Sequence, residues 1–199
     1  MSDPLILASG SEIRAELLRQ ACVPFATEKP RIDEETIRQS LSSEGALPRD
    51  IADALAEAKA RKVSNRYPDA LVLGCDQVLA LGERIFAKPE TAEEALDHLK
   101  ALRGQKHMLL SAAVMYQGAE PIWRHVGVVR LWMRDASDEW LDSYVDRNWD
   151  SIRWSVGGYK LEEEGVRLFT RIEGDYFNVL GLPLLELLSY LTLRGTLPS

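Results

Sequence analysis

Asp76 and Gln77 stand in the middle of LVLGCDQVLAL, residues 71–81, an otherwise leucine-rich and β-branched run. A buried strand avoids such residues, so a carboxylate there must be paired, metal-bound or at an exposed strand end. Glu34, in RIDEE just before a predicted helix, is a second acid of interest. Two carboxylates far apart in sequence can converge on a hard cation such as Mg²⁺ through oxygen ligation. The complementary charges are Lys88, in a Lys-Pro dipeptide ahead of a helix start, and Arg14, one turn into the first predicted helix near Ser9 and Ser11. Each can meet an anion beside a helix N-terminus.

Taken singly, most of these residues have an ordinary structural explanation. Ser9 and Ser11 serve as helix caps, Glu34 as a first-turn acid favoured by the helix dipole, and Lys59 and Lys88 as solvated surface charge. Asp76 is the exception, because its apolar setting demands a partner. The chain has no Walker-type loop, dinucleotide glycine fingerprint, HExxH or EF-hand loop. His98, His107 and His125 are scattered and no serine elbow accompanies them, which leaves a hydrolase triad only weakly supported. His107 and Tyr176 are read as structural.

The elements that must position these residues follow from periodicity. Leu5 to Ala8 reads as a short buried strand ending at Ser9-Gly10-Ser11. A helix follows with Ile13, Leu17, Leu18 and Ala21 on its inner face, Ser9 and Glu12 at capping-box spacing, and Ser11 as the rival N-cap. A second helix spans about 49–63, with Ile51, Leu55, Ala58 and Lys62 at helical spacing and Lys59, Arg61 and Lys62 in its C-terminal half. Residues 40–50 read as a connection. Thr91 and Glu94 cap a helix with Ala95, Leu96, Leu99 and Leu102 inward and Gly104 as its stop. Residues 108–116 and 122–133 are predicted as an antiparallel hairpin. Ser137 caps a helix through Val145, 166–172 is a further strand after the Gly157-Gly158 break, and Pro183 opens a terminal helix. The five tryptophans are assigned to packing. This order makes a mixed α/β chain.

Composition sets outer bounds. The 199 residues carry 24 basic and 31 acidic side chains, a formal charge of −7, which disfavours a nucleic-acid polymer or an anionic membrane surface as partner. Only Cys22 and Cys75 are present, without paired spacing, and this fits a reducing, cytoplasmic setting. The Met-Ser-Asp-Pro start and the brief LILA run fit neither an export leader nor a membrane span. With no linker or repeat, residues 1–199 read as a single domain.

LILASGSEIRAELL, IDE at 32–34, LAEAKA at 55–60, GCDQV at 74–78, AKPET at 87–91 and GDYFNVLGLPL at 174–184 together resemble the Maf family of nucleoside triphosphate pyrophosphatases, in the family's order and over nearly the whole chain. The resemblance implies a twisted mixed β-sheet flanked by helices, in two lobes around a nucleotide cleft, similar to inosine triphosphate pyrophosphatases, and commonly a homodimer. It also implies cleavage of a nucleoside triphosphate to monophosphate and pyrophosphate with Mg²⁺ or Mn²⁺. Carried over by motif, Ser9, Ser11 and Arg14 contact phosphate, Glu34 and Asp76 bind metal and activate water, and Lys59 and Lys88 hold phosphate.

Two motifs depart from the commonest pattern. Glu12-Ile13-Arg14 stands where the family usually has Pro-Arg-Arg. Asp76-Gln77 and Tyr159-Lys160-Leu161-Glu162 replace the Asp-Thr and Gln-containing motifs of the branch that prefers dTTP and UTP, which brings the chain closer to the 7-methyl-GTP branch. Gln77 and Glu162 are thereby assigned to substrate, with Glu162 suited to the positive charge of an N7-methylated guanine. The rival expectation is a nucleotide-binding regulator linked to septum formation with weak or no hydrolysis.

Overall fold

The apolar run at 71–81 forms strand β3 (Leu71–Leu81), buried at almost every position. That pattern is expected of a strand covered on both faces. The computed structural model describes residues 5–118 and 120–198; the polar Met-Ser-Asp-Pro start lies outside them. Strands β1 (Leu5–Ala8), β2 (Ala26–Thr27), β3, β4 (Arg84–Phe86), β5 (Lys106–Gln117), β6 (Glu120–Met133) and β7 (Phe169–Glu173) form one mixed sheet. The strand order is β2-β1-β3-β5-β6-β7, with β4 on β3. β1 runs parallel to β2 and β3, whereas β4 is antiparallel to β3 and β7 to β6. The flanking helices are α1 (Glu12–Gln20), α2 (Glu34–Ser43), α3 (Pro48–Ser64), α4 (Ala92–Leu102), α5 (Asp138–Ile152), α6 (Tyr176–Val179) and α7 (Leu184–Leu193). The α/β architecture is therefore the one expected, with β2, β4 and α6 too short to have been read from periodicity.

The chain divides into two compact units, the first made of Met1–Gln77, Ser111–Gly127 and Asp175–Ser199, the second of Val78–Leu110 and Val128–Gly174. In the first, Leu7, Leu18, Leu73, Met115, Leu182 and Leu187 share one core. Ile13, predicted inward, is instead exposed in the first turn of α1, whose buried face is Ala15, Leu17 and Leu18. α2 and α3 together occupy most of the predicted 40–50 connection, leaving residues 44–47 to link them.

α3 presents a different face from the one predicted. Ala52, Ala56, Lys59, Ala60 and Val63 are buried with Ile51 and Leu55, whereas Ala58 is half-buried and Lys62 exposed. The cause is the alanine row at i, i+4 and i+8, which lets α3 close directly on β3 at Gly74. An ideal Cβ on Gly74 would stand 2.1 Å from the Ala56 carbonyl oxygen and 2.6 Å from the Ala60 nitrogen.

In the second unit, Thr91 accepts the Glu94 N–H at 3.2 Å, while the Glu94 carboxylate accepts from Glu90 N–H at 2.8 Å, so the predicted box closes one residue upstream. Leu96 is half-buried, and His98 takes an inward place on α4. Ser137 caps α5, which continues past Val145 to Ile152. β7 begins at Phe169 rather than Val166, because Glu164–Leu168 is a 3-10 helix whose Glu164 carboxylate binds Arg147, Asn148 and Arg167. His107 is buried with Nε2 2.8 Å from the Tyr159 hydroxyl, and burial pushes its imidazole down to about 4, which keeps it neutral. Tyr176 is exposed. Trp154 departs from the packing role predicted for it: it is 66% exposed, with Arg153 over its ring.

Gly74→Ala should cost at least about 3 kcal/mol, because its nearest neighbours are helix backbone that cannot rotate away as a side chain would. Denaturant unfolding checks this; a loss under about 1 kcal/mol would contradict the close approach of α3.

Candidate active site

Gly74 and its alanine row bring the buried face of α3 against β3, and this places Lys59 beside Asp76. The Lys59 ammonium donates to Asp76 Oδ1 at 2.7 Å and to Glu34 Oε2 at 2.9 Å. Lys59 and Asp76 are only 6% and 7% exposed, whereas half of the Glu34 side chain is open to solvent. Glu34 owes its place to Asp33, which caps α2 by accepting the Thr36 N–H at 3.0 Å. The two acids that the sequence singled out thus meet on one lysine, and Lys59 is the buried link between them rather than a solvated charge.

Burial pushes the Asp76 carboxyl above its ordinary range; Lys59 and Arg14 pull it back, and Glu34 adds to the rise. Removing one partner of such a pair leaves a charge stranded in a low-dielectric setting.

The loop after β1 supplies the neighbouring cation. Ser11 is the N-cap of α1 but its side chain makes no cap hydrogen bond, and the Ser9–Glu12 capping box does not form. The Ser9 hydroxyl instead accepts from Ser11 N–H at 3.1 Å and from Arg14 Nη1 at 3.3 Å. Arg14 Nη1 also reaches the Cys75 carbonyl at 3.2 Å, and its Nε donates to the Gly181 carbonyl at 2.7 Å. The guanidinium is therefore fixed against the residue preceding Asp76. Glu12 pairs with Arg19 on the exposed side of α1.

Ser9, Arg14, Glu34, Lys59 and Asp76 come together in the first unit, with Ser11 on the same loop. Gln77 belongs there too, its side-chain nitrogen 3.0 Å from Ser111 Oγ and from the Asn178 and Val179 carbonyls. Lys88, exposed between β4 and α4, and Glu162, exposed in the turn before the 3-10 helix, belong to the second unit.

Several contributors were not legible. The Cys75 and Gly181 carbonyls act through backbone, which no residue type announces. Lys29, on no predicted element, lays its side-chain carbons 3.5 Å from where a Cβ on Gly10 would be.

Among the described residues no three His, Cys, Asp or Glu side chains group closely enough to cage a metal. The donor set still fits a Mg²⁺-type ion, which is held by one or two carboxylates and completes its shell with water and phosphate oxygens. Glu34 and Asp76 are the carboxylates that would hold it.

The Maf-like protein family model matches residues 4–193. Proteins named nucleoside triphosphate pyrophosphatase from Ruegeria pomeroyi and Roseobacter denitrificans are 64% and 63% identical, over 199 and 198 residues, and in each case 100% of both chains is covered. A protein of Rhizobium meliloti named 7-methyl-GTP pyrophosphatase is 45% identical over 199 residues, again with 100% of both chains covered.

Lys59→Met should cost about 3–5 kcal/mol of stability, since it strands the buried Asp76 carboxylate. Glu34→Gln should cost under about 1 kcal/mol, because its carboxylate is half solvated. Equal losses in urea unfolding would contradict the assigned asymmetry.

Proposed function

The chain belongs to the Maf family, and from that premise we propose that it is a nucleoside triphosphate pyrophosphatase. The observation that carries this reading is the Asp76–Lys59–Glu34 cluster, two carboxylates joined through one buried ammonium with Arg14 fixed beside it.

Water attacks the α-phosphorus, its oxygen forms the new bond, the bond from the α-phosphorus to the α,β-bridging oxygen breaks, and pyrophosphate leaves with the electron pair. Asp76 accepts the water's proton, a role suited by a carboxyl that burial raises above its ordinary range. Glu34 orients the attacking water and is the second candidate base. Glu34 and Asp76 would hold Mg²⁺ or Mn²⁺, which would neutralise part of the triphosphate's charge. Arg14 offers its Nη2 hydrogens to phosphate, with Ser9 and Ser11 on the loop behind it. Lys59 holds the carboxylates and is the inner phosphate cation; Lys88 is proposed as a further one. An acidic chain accommodates a polyanion this way because the local field outweighs net charge.

A preference for 7-methyl-GTP is the finer proposal, with Glu162 supplying the charge that favours a cationic base; dTTP and UTP are the alternatives. Support comes from the Asp76-Gln77 and Tyr159-Lys160-Leu161-Glu162 motifs and from the relative of that name. A homodimer and a cytoplasmic setting, without a nucleic-acid partner, complete the proposal. The free Cys22 and Cys75 and the charge of −7 agree with it, and among the described residues no helix is long and apolar enough to cross a membrane. The septum-linked regulator is not favoured by the relatives' names.

Purified protein with Mg²⁺ and a panel of 7-methyl-GTP, GTP, UTP and dTTP in ¹⁸O-water should release pyrophosphate and place the label on the monophosphate. Asp76→Asn should lower turnover about 10²–10⁴-fold. Orthophosphate as sole product, or near-normal turnover in that variant, would overturn the reaction. Turnover of 7-methyl-GTP no faster than that of the others would overturn only the base preference.

A further inference from the structure

Strand β1 lies between β2 and β3 and runs parallel to both, so the three strands point the same way. In open α/β sheets, ligands sit beyond the carboxyl ends of such strands. The register carries this to single residues. Leu7 pairs with Thr27 and Ala8 with Gly74. Just beyond those pairs, Ser9 and Gly10 leave β1, Cys75 and Asp76 continue β3, and Glu28 and Lys29 leave β2. The Glu28 N–H donates to the Leu7 carbonyl at 3.0 Å, which extends the pairing as far as the residue before Lys29. Pro30 follows, and a residue ahead of proline is held extended. Lys29 is thereby delivered to the serine loop: its Cδ and Cε lie 3.5 Å, and its Cγ 3.6 Å, from where a Cβ on Gly10 would be. The stem lies across that glycine, with the ammonium one bond further on.

The acids that could neutralise this ammonium are engaged with other groups. Glu28 pairs with Arg66 at 2.8 Å, and Glu12, at the start of α1, pairs with Arg19. Asp33 accepts the Thr36 N–H at 3.0 Å and the Thr36 hydroxyl at 2.8 Å, and Glu34 holds Lys59. Among the described residues the Lys29 ammonium forms no ion pair. The loop beneath it is short of acceptors as well. Ser11 heads α1 without capping it, so its side chain leaves the first-turn N–H groups of that helix unsatisfied. An unneutralised ammonium over a loop that opens a helix and seats Arg14 is a charge pattern that suits an anion.

We propose that Lys29 is a phosphate-binding residue that holds the outer phosphates of the triphosphate over the Ser9–Ser11 loop. The proposal rests on the pyrophosphatase reading, in which Asp76 marks the α-phosphorus. Because β1 separates β2 from β3, Lys29 arrives about two strand spacings, roughly 10 Å, to the side of Asp76. That distance puts it with the departing pyrophosphate rather than with the bond under attack. The chain carries exposed Ile13 where the family usually has an arginine, and Lys29 brings a cation to the same loop from a different strand. A flexible, exposed lysine that touches phosphates away from the reacting bond binds substrate and transition state alike, so its effect falls on KM rather than kcat.

The experiment compares wild type with Lys29→Met, which keeps a stem against Gly10 and removes the charge, and with Lys29→Arg, which keeps a charge. Lys62→Met removes one charge from the exposed side of α3 and controls for net charge. In calorimetric titration with inorganic pyrophosphate and Mg²⁺, Lys29→Met should bind about 5-fold to 20-fold more weakly, and Lys29→Arg and Lys62→Met within about threefold of wild type. Affinity for UMP, which carries only the inner phosphate, should stay within about twofold in every variant. With 7-methyl-GTP and with UTP, Lys29→Met should raise KM about 5-fold to 20-fold by the same factor and leave kcat within about twofold. Unchanged pyrophosphate affinity in Lys29→Met, an equal loss in Lys62→Met, no rescue by arginine, a loss shared by UMP, or no binding of pyrophosphate by wild type would each overturn the proposal. If wild type binds pyrophosphate but releases none from any nucleotide, the reaction has failed, and the titrations alone decide for or against Lys29 as a phosphate ligand.

Discussion

A buried ion pair, Lys59 with Asp76, is the constraint around which the first unit is arranged. Neither charge is stable alone in that setting. Their meeting depends on α3 approaching β3 closely enough for a side chain from each to touch, and that approach depends on Gly74 facing Ala56 and Ala60. Backbone packing thereby fixes charge placement. The arrangement also keeps an acid within an apolar strand, where burial raises its carboxyl above the ordinary range.

Around this pair the sequence uses weaker interactions to place the remaining groups. Asp33 caps α2 and so brings Glu34 to the ammonium from a second helix. The serine loop behaves less like a helix cap than like a seat for Arg14, since the Ser9 hydroxyl accepts from both Ser11 N–H and the guanidinium. Backbone carbonyls at Cys75 and Gly181 complete that seat. Lys59, which looks like surface charge in the sequence, becomes an interior fixture because β3 and α2 each contribute one bond to it.

Legibility followed the strength of local signals. Asp76 stood out because a carboxylate amid leucines and valines has few innocent explanations, whereas Glu34, by itself an ordinary first-turn acid, was marked by the IDE motif and by what it could do together with Asp76. Long elements such as α3, α4 and β3 were readable from period and caps. The face of α3 was misread, because a row of alanines carries little hydrophobic signal yet permits the closest packing. Ile13 was misassigned because helical spacing alone does not show where a helix leaves its packing partner. The extent of β7 depends on Glu164 gathering Arg147, Asn148 and Arg167, and the placement of Gln77 and Gly181 depends on contacts about one hundred residues or more apart and on backbone oxygens. The family resemblance pointed to the 174–184 motif without saying what its residues do.

We propose that the Lys59-linked carboxylates form the reaction centre. A crystal structure with Mg²⁺ and an α,β-methylene nucleoside triphosphate tests it most directly. The ion is expected on Glu34 and Asp76, with the α-phosphate adjoining it and Arg14 on a phosphate oxygen. A nucleotide bound elsewhere, with these carboxylates touching neither ion nor phosphate, would contradict it.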